Sequence, residues 1–205
     1  MARKTKEDAE KTRQDLIEAA RTVFHQHGVS RSTLEKIAQT AGVTRGAVYW
    51  HFKDKAALFF AMREDVFAPM IARTDAVLFS EHYDNPLDAI EVSLKMFFCV
   101  LEESKVVRQV FEILTARCEY VDEFASVQAE AARPAREFLS KIERVYQLAA
   151  DSGLLRTGLH PIACAQDTWA FTSGVLHLFL AQQMDNGLAQ QIPQMISTHM
   201  GLRRQ

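Results

Sequence analysis

Residues 34–52 read LEKIAQTAGVTRGAVYWHF, which predicts two short helices joined by a tight turn. The S-x-x-E spacing that starts at Ser32 is that of a capping box, in which two side chains satisfy free amides of a helix start. We therefore expect the first helix to begin near Thr33. Gly42 supplies the left-handed backbone that ends a helix sharply. Thr44 can then cap the second helix with its hydroxyl, and the whole pattern indicates a helix-turn-helix.

The second helix of the pair is predicted to turn Ala47 and Val48 inward and to leave four residues outside: Arg45, Gly46, Tyr49 and His51. A guanidinium near the start of a helix in the major groove can bond guanine O6 and N7, so we expect Arg45 to read bases. Gly46 permits close approach, and Tyr49 offers a ring to a thymine methyl and a hydroxyl to a phosphate. The residues expected to contact the DNA backbone and fix the register are Thr33, Thr44, His51 and Lys55.

An ordinary helical corner is the alternative for this window, because any small helical domain can hold an A-G-V turn with Arg and Tyr on its surface. Here the cap, the turn, the apolar plug at Val43 and the polar outer face all agree within one short stretch. That agreement favours a DNA reader.

Charge is distributed unevenly along the chain. Residues 1–55 hold 11 Lys or Arg and 7 Asp or Glu, a net charge of +4, whereas residues 56–205 hold 13 and 19, a net charge of −6. We therefore expect only the front of the chain to meet a polyanion. Residues 1–7, with Arg3, Lys4 and Lys6, form either a mobile basic arm that follows phosphates or enters a minor groove, or a solvated tail.

The predicted fold class is all-α, with about nine helices. Gly and Pro are scarce, at 8 and 5 residues, and no run alternates apolar with polar residues over the length of a strand. A helix over residues 8–27 should complete a three-helix DNA-binding domain, residues 1–54, followed by a larger helical domain, residues 55–205. The expected helices of the second domain are a long one from Lys55 and others at 86–103, 105–118, 122–152, 161–184 and 188–200.

Pro69 falls inside the long helix that begins at Lys55, where its ring and missing amide should kink the helix. The kink is a candidate joint between a ligand site and the DNA reader. The alternative is that Pro69 only bends the helix around a core.

No motif for a metal or cofactor is apparent. Cys99, Cys118 and Cys164 lie far apart in sequence without metal-ligand spacing, which fits a reducing cytosol. No apolar segment follows the charged N-terminus, and the longest apolar stretch, residues 169–181, is too short to span a bilayer. We expect a soluble cytoplasmic protein without a cofactor.

Residues 17–58, IEAARTVFHQHGVSRSTLEKIAQTAGVTRGAVYWHFKDKAAL, resemble the N-terminal domain of the TetR family of transcription regulators. AcrR-type repressors of multidrug efflux pumps share the opening R-x-T-K-E and the stretch AGVTRGA-(V or I)-YWHF. The resemblance covers residues 3–60, with short pieces such as FEIL-x-x-x-CE beyond. It implies a dimeric repressor that binds a palindromic operator of a multidrug efflux operon and that a small apolar or aromatic compound releases.

The same resemblance implies a ligand pocket in the second domain. By correspondence with AcrR-type relatives, its lining is Val66, Met70, Met96, Phe97, Phe111, Glu112, Thr115, Phe138, Ile142, Trp169, Thr172, Ser173 and His177. Aromatic residues with a few polar groups among them are the usual make-up of a small-molecule site. Glu112 would favour a cationic compound.

Dimerisation is expected through the last two helices, because two recognition helices must be held in successive major grooves. The stripe expected to form the interface is Ala165, Trp169, Leu176, Leu180 and Met184.

Two other functions compete. A hydrolase could use Ser173 and His177 with Glu112 behind them, but a nucleophile in the middle of a helix is poorly exposed and nothing supplies an oxyanion hole. Alternatively, the second domain of a DNA-binding regulator could contact only itself or protein partners, which would leave its aromatic residues as plain core.

Overall fold

The computed structural model describes residues 2–120, 122–181 and 187–205, and in these ranges it contains ten α-helices and no strand beyond one isolated bridge. The all-α prediction is confirmed. The helices are α1 (Ala2–His27), α2 (Leu34–Ala41), α3 (Arg45–His51), α4 (Lys55–Leu78), α5 (Pro86–Glu103), α6 (Lys105–Ala116), α7 (Gln128–Ala131), α8 (Arg133–Asp151), α9 (Pro161–Leu180) and α10 (Leu188–Gly201), with a 3₁₀ helix at Asp122–Val127.

Two predicted boundaries were wrong. The single helix expected over residues 122–152 is a 3₁₀ helix, α7 and α8 in succession, because Pro134 occupies the first turn of α8 and cannot donate to a preceding turn. At the N-terminus α1 begins at Ala2, so residues 2–7, expected to be an arm, are the first turns of a helix.

The cap of α2 lies one residue later than predicted. Thr33, not Ser32, is the N-cap, and its hydroxyl oxygen accepts the amide of Lys36 at 3.2 Å. Ser32 is buried, and its hydroxyl donates to the carbonyl of Gly28 at 2.6 Å. Gly42 ends α2 with φ +69°, as the turn requires.

The chain packs as two compact units, the first comprising Met1–Ala68 and Val106–Ala131 and the second Pro69–Lys105 and Ala132–Gln205. This division differs from the boundary expected after residue 54, because the first half of α4, nearly all of α6 and the segment through α7 pack with the first three helices. Within α4, which is one helix from Lys55 to Leu78, the division falls at Pro69.

Aromatic rings form the centre of the first unit. Phe59 of α4 lies 6.3 Å from the ring of Phe24 on α1 and 5.5 Å from that of Phe124, both edge-on. All three rings are buried. Offset edge contacts of this kind add to the stabilisation that burial of the rings already gives, so the segment after α6 shares one core with the helices before it.

Polar contacts, one buried and two partly buried, link helices of the second unit. The hydroxyls of Tyr146 on α8 and Thr168 on α9 lie 2.7 Å apart in the core. Near the C-terminus, Arg204 donates to Asp88 and Glu91 of α5 at 2.7 and 2.5 Å. The first contact joins α8 to α9, and the second joins the residues after α10 to α5.

Within the described residues, no helix is both long enough and apolar enough to cross a membrane. Cys99, Cys118 and Cys164 are free thiols.

Candidate nucleic-acid interface and effector residues

Helix α3 is fixed at its start by a cap and on its inner side by a buried residue. The hydroxyl oxygen of Thr44 accepts the amide of Ala47 at 3.2 Å. Val48 is fully buried and anchors the helix to the three-helix core. Because α3 has only seven residues, this anchoring leaves the predicted outward set, including Arg45, Gly46 and Tyr49, exposed to solvent.

Arg45 and Tyr49 form an exposed pair one helical turn apart. The Arg45 guanidinium donates to the Tyr49 hydroxyl at 3.4 Å, and its central carbon lies 5.5 Å from the ring centroid. The hydrogen bond from Arg45 to Tyr49 raises the pKa of the guanidinium above its ordinary, already high value. The pair therefore presents a permanent cation beside a phenol, a combination suited to guanine edges and phosphates.

Thr33, Thr44 and Gly46, three further residues of the predicted set, are also accessible to DNA. The hydroxyl oxygens of Thr33 and Thr44 accept backbone amides at the two helix starts, yet both residues are exposed and each hydroxyl hydrogen can still be donated to a phosphate. A Cβ at Gly46 would contact only the Thr44 hydroxyl, at 3.8 Å. Nothing inside the chain therefore requires glycine there, whereas close approach to DNA would.

His51 is half-buried at the end of α3. Burial, and next the charge of Arg13, lower the pKa of its imidazole, so the ring is neutral at neutral pH. It lies edge-on to the Trp50 ring, with the centroids 4.4 Å apart. A neutral ring can donate one hydrogen bond to a phosphate but does not add a positive charge.

Lys55 does not fit the role predicted for it. Its side chain is buried, and the ammonium donates to the carbonyls of Ser32 at 3.1 Å and Ser30 at 3.5 Å. It also lies 5.4 Å from the centroid of the Phe124 ring. The ammonium therefore stabilises the loop before α2, and we remove Lys55 from the candidate phosphate contacts.

Trp50 was missed by the sequence reasoning. It is 73% exposed, more than any other large hydrophobic residue in the described part of the chain. Together with Tyr49, which is 48% exposed, it forms two adjacent exposed aromatic side chains on the same short helix as Arg45. Its position between two residues of the outward set was the available signal.

The predicted effector residues divide between the two units. Of those in the first unit, Val66 and Phe111 are buried, and Phe111 stacks on Phe67 with the ring centroids 4.9 Å apart. Thr115 is exposed and its hydroxyl donates to the carbonyl of Phe111, which argues against a pocket position. Glu112 lies 2.5 Å from Nε2 of His25 on α1, so its carboxylate already has a partner.

The remaining nine predicted effector residues lie in the second unit: Met70, Met96, Phe97, Phe138, Ile142, Trp169, Thr172, Ser173 and His177. The rings of Phe138 and Trp169 are adjacent, with centroids 6.2 Å apart. The hydroxyl of Thr172 donates to the carbonyl of Thr168 at 2.7 Å.

The catalytic arrangement considered for a hydrolase is not assembled. Ser173 and His177 make no hydrogen bond with each other in the described structure, His177 is exposed, and Glu112 is paired with His25 in the other unit. A serine nucleophile needs a base within hydrogen-bond reach.

The exposed face of α9 is offset from the predicted dimer stripe. Ala165 of that stripe is fully buried, and Met184 lies outside the described residues. Among the exposed positions of α9, five repeat at helical spacing, and three of these are Ala or Gly: Ala163, Gln166, Ala170, Gly174 and His177. A Cβ at Gly174 would meet nothing within 4 Å. Small residues on an outer face allow a second helix to approach closely.

Comparison with known proteins extends the resemblance beyond the helix-turn-helix. Residues 16–62 match the family described as bacterial regulatory proteins, tetR family, and residues 85–203 match the C-terminal region of MAATS-type transcriptional repressors. The transcriptional regulator AcrR of Shigella flexneri is 34% identical over 188 residues, which are 90% of this chain and 86% of that protein.

Two solved structures have the same fold along nearly the whole chain. NalD, a secondary repressor of the MexAB-OprM multidrug efflux pump in Pseudomonas aeruginosa, superposes with a TM-score of 0.85 at 29% identity, covering 97% of this chain and 98% of NalD. SmeT in complex with triclosan gives a TM-score of 0.80 at 30% identity, with coverage of 95% and 92%. SmeT is the repressor of a Stenotrophomonas maltophilia multidrug efflux pump.

Members of this family are DNA-binding regulators rather than enzymes, which agrees with the missing hydrolase geometry. The matches cover both the helix-turn-helix and the helices that follow it. The chain therefore belongs to the TetR family of bacterial transcription regulators.

Proposed function

We propose that this chain is a dimeric, ligand-responsive transcriptional repressor that acts in the cytoplasm on a palindromic operator of a multidrug efflux operon. The observation that carries the proposal is the exposed Arg45 and Tyr49 pair on α3, held outward by the Thr44 cap and the buried Val48. The full-length similarity to AcrR, NalD and SmeT supports repression of an efflux operon.

Base reading is tested with Arg45→Ala on operators that carry single base-pair substitutions. The variant should lose discrimination at one base pair in each half-site, by about 1 to 3 kcal/mol. Lys36→Ala is the control, because Lys36 is an exposed cation on α2 rather than α3. Competition binding separates the two, and unchanged discrimination by Arg45→Ala would remove Arg45 from the base contacts.

The dimer interface is proposed to include the outer face of α9 instead of the stripe predicted from sequence. Ala170→Arg introduces a long cation at the middle of the small-residue face and should yield monomers with weakened operator binding. Ser140→Arg, on the exposed face of α8, is the matched control and should remain dimeric. Sedimentation velocity measures both; a dimeric Ala170→Arg variant would place the interface elsewhere.

Effector binding is proposed at the aromatic residues of the second unit, centred on the Phe138 and Trp169 rings. The presence of triclosan in the SmeT structure supports a small aromatic effector. A ligand weakens DNA binding only if it prefers the conformation that binds DNA poorly. The roles of Val66, Phe111 and Glu112 in effector binding rest on the resemblance alone.

A panel of aromatic drugs and dyes tests the proposed effector site. Binding and operator release are measured on wild type, Trp169→Ala and Phe111→Ala. Trp169→Ala should bind the active compounds at least about tenfold more weakly, because truncating a large aromatic contact costs 1.4 kcal/mol or more. Compounds that bind the wild type without releasing it from DNA would contradict the proposed switch.

A further inference from the structure

The end of α1 is joined to α6 by two polar contacts within the first unit. Nε2 of His25, in the last turn of α1, lies 2.5 Å from Oε2 of Glu112 on α6. Just after α1, the amide of Val29 donates to the carbonyl of Arg117 at 2.9 Å. The side chains of His25 and Glu112 are partly buried, with 26% and 17% of their surface exposed. Because little water competes for it, their hydrogen bond is stronger than one on an open surface.

The loop that follows α1 leads directly into the helix-turn-helix. The carbonyl of Gly28 accepts the hydroxyl of Ser32 at 2.6 Å. The carbonyls of Ser30 and Ser32 accept the ammonium of Lys55. The next residue is Thr33, the N-cap of α2. A displacement of the end of α1 on α6 would therefore also move the start of α2.

Helix α6 begins where the chain passes from one compact unit to the other. Lys105 ends a segment of the second unit, and Val106 begins a segment of the first. From there α6 continues past Glu112 to Ala116. The helix that starts at this connection therefore also holds the end of α1.

We infer that His25 and Glu112 are positioning residues for operator binding. Their hydrogen bond holds the end of α1 on α6, which keeps Thr33 and the start of α2 in place for the DNA backbone. The resemblance to AcrR-type regulators instead implies that Glu112 contacts the effector. A carboxyl group that is already paired with His25 could bind a cationic effector only by giving up this partner. The inference rests on the DNA-binding part of the proposed function and is independent of the effector site.

The test measures binding of the full chain to a DNA duplex that the wild type selects from a random pool. His25→Leu removes the hydrogen bond, whereas His25→Gln keeps an N–H near the position of Nε2. His25→Leu should bind the duplex about fivefold more weakly for each protomer, which corresponds to a loss of about 1 kcal/mol. His25→Gln should remain within about twofold of the wild type, because its side-chain amide can still donate to Glu112.

A double-mutant cycle shows whether the two residues act together. Glu112→Leu should weaken binding as much as His25→Leu does, and the double variant should bind no more weakly than either single variant. Glu18→Leu is the control, because the ion pair of Glu18 with Arg21, at 3.3 Å, lies within α1. This control should bind the duplex like the wild type.

Hydrogen exchange separates a change in position from a general loss of stability. In His25→Leu the amides of residues 28–33 should exchange faster, while those of α8 and α9 in the second unit should exchange as in the wild type. A general loss of stability would instead accelerate exchange throughout the chain.

Unchanged DNA binding by His25→Leu, additive losses in the double variant, or faster exchange throughout the chain would each overturn the assignment. A wild type that selects no duplex would overturn the proposed function and this assignment with it.

Discussion

Replacement of Lys55 by Met separates two roles for one side chain, a phosphate contact and an internal support. In the structure the ammonium donates to the Ser32 and Ser30 carbonyls at 3.1 and 3.5 Å and lies over the Phe124 ring. Methionine keeps most of the apolar length of lysine but removes all of these interactions. The support role predicts a loss of stability without DNA, whereas a phosphate contact predicts a loss only with DNA.

The magnitude follows from the contacts. A hydrogen bond that involves a charged group contributes about 1.5 to 3 kcal/mol, and a cation over an aromatic ring contributes about 0.5 to 2 kcal/mol. Part of this is offset, because the variant no longer keeps a buried ammonium away from water. We expect a net loss of about 2 kcal/mol, which lowers the melting temperature of a chain of this size by about 4 to 8 °C.

Two measurements check this expectation. Thermal unfolding without DNA should show the lower melting temperature, and operator binding over a series of salt concentrations should keep its slope. Loss of one phosphate contact would instead reduce that slope by about 0.9. Lys53→Met is the control, since the Lys53 side chain is 83% exposed and should change stability by no more than about 0.5 kcal/mol. An unchanged melting temperature together with a flattened slope would return Lys55 to the phosphate contacts.

Three further predictions concern ionisable side chains that are buried or partly buried. Arg63→Met should cost about 2 to 3 kcal/mol in chemical denaturation, because the buried guanidinium donates to Glu64 and to the carbonyl of Glu130; a loss below about 0.5 kcal/mol would contradict this role. Burial, and next the charge of Arg203, lower the pKa of His199 to about 4, so stability should fall as the pH drops from about 6.5 to 4, where only the unfolded chain binds the proton. His199→Gln should remove that dependence in urea titrations across this range. Burial alone would raise the pKa of Glu91, but hydrogen bonds from Lys95, Arg204 and Ser197 lower it to about 2. Its stabilisation is therefore complete above about pH 4.5 and lost as the pH falls towards 2, so Glu91→Gln should be less stable than wild type at pH 7 and equally stable near pH 2.

The local parts of the fold could be predicted because the signals act within a few residues. Gly42 ends α2 because glycine readily adopts a left-handed backbone. Thr44 caps α3 because its hydroxyl can accept the free amide three residues later. Pro86 and the Asn85 cap likewise fixed the start of α5. The N-cap of α2 was predicted one residue too early, at Ser32 instead of Thr33. Both side chains carry a hydroxyl, and only the burial of Ser32 decides between them.

Side chains that depend on distant segments could not be placed. Lys55 is buried because Phe124, nearly seventy residues later in the chain, lies against it. Glu112 was predicted to favour a cationic ligand, but His25 on α1 is the partner of its carboxylate. On α9, an almost uniformly apolar helix gives no periodic signal to tell the inner from the outer face, so Ala165 was placed on the wrong one.

These distant contacts change how the DNA reader is supported. Phe124 packs on Phe59 and Lys55, and Glu130 holds Arg63, so residues between α6 and α8 support the first half of α4 from within the same unit. Lys55 in turn holds the carbonyls of the loop that leads into α2. A contiguous series of contacts therefore runs from the segment after α6 to the cap of the helix-turn-helix. It follows that α4 is one covalent connection to the reader and not its sole support. Substitutions at Phe124 should weaken operator binding although they lie far from the DNA-reading residues in the sequence.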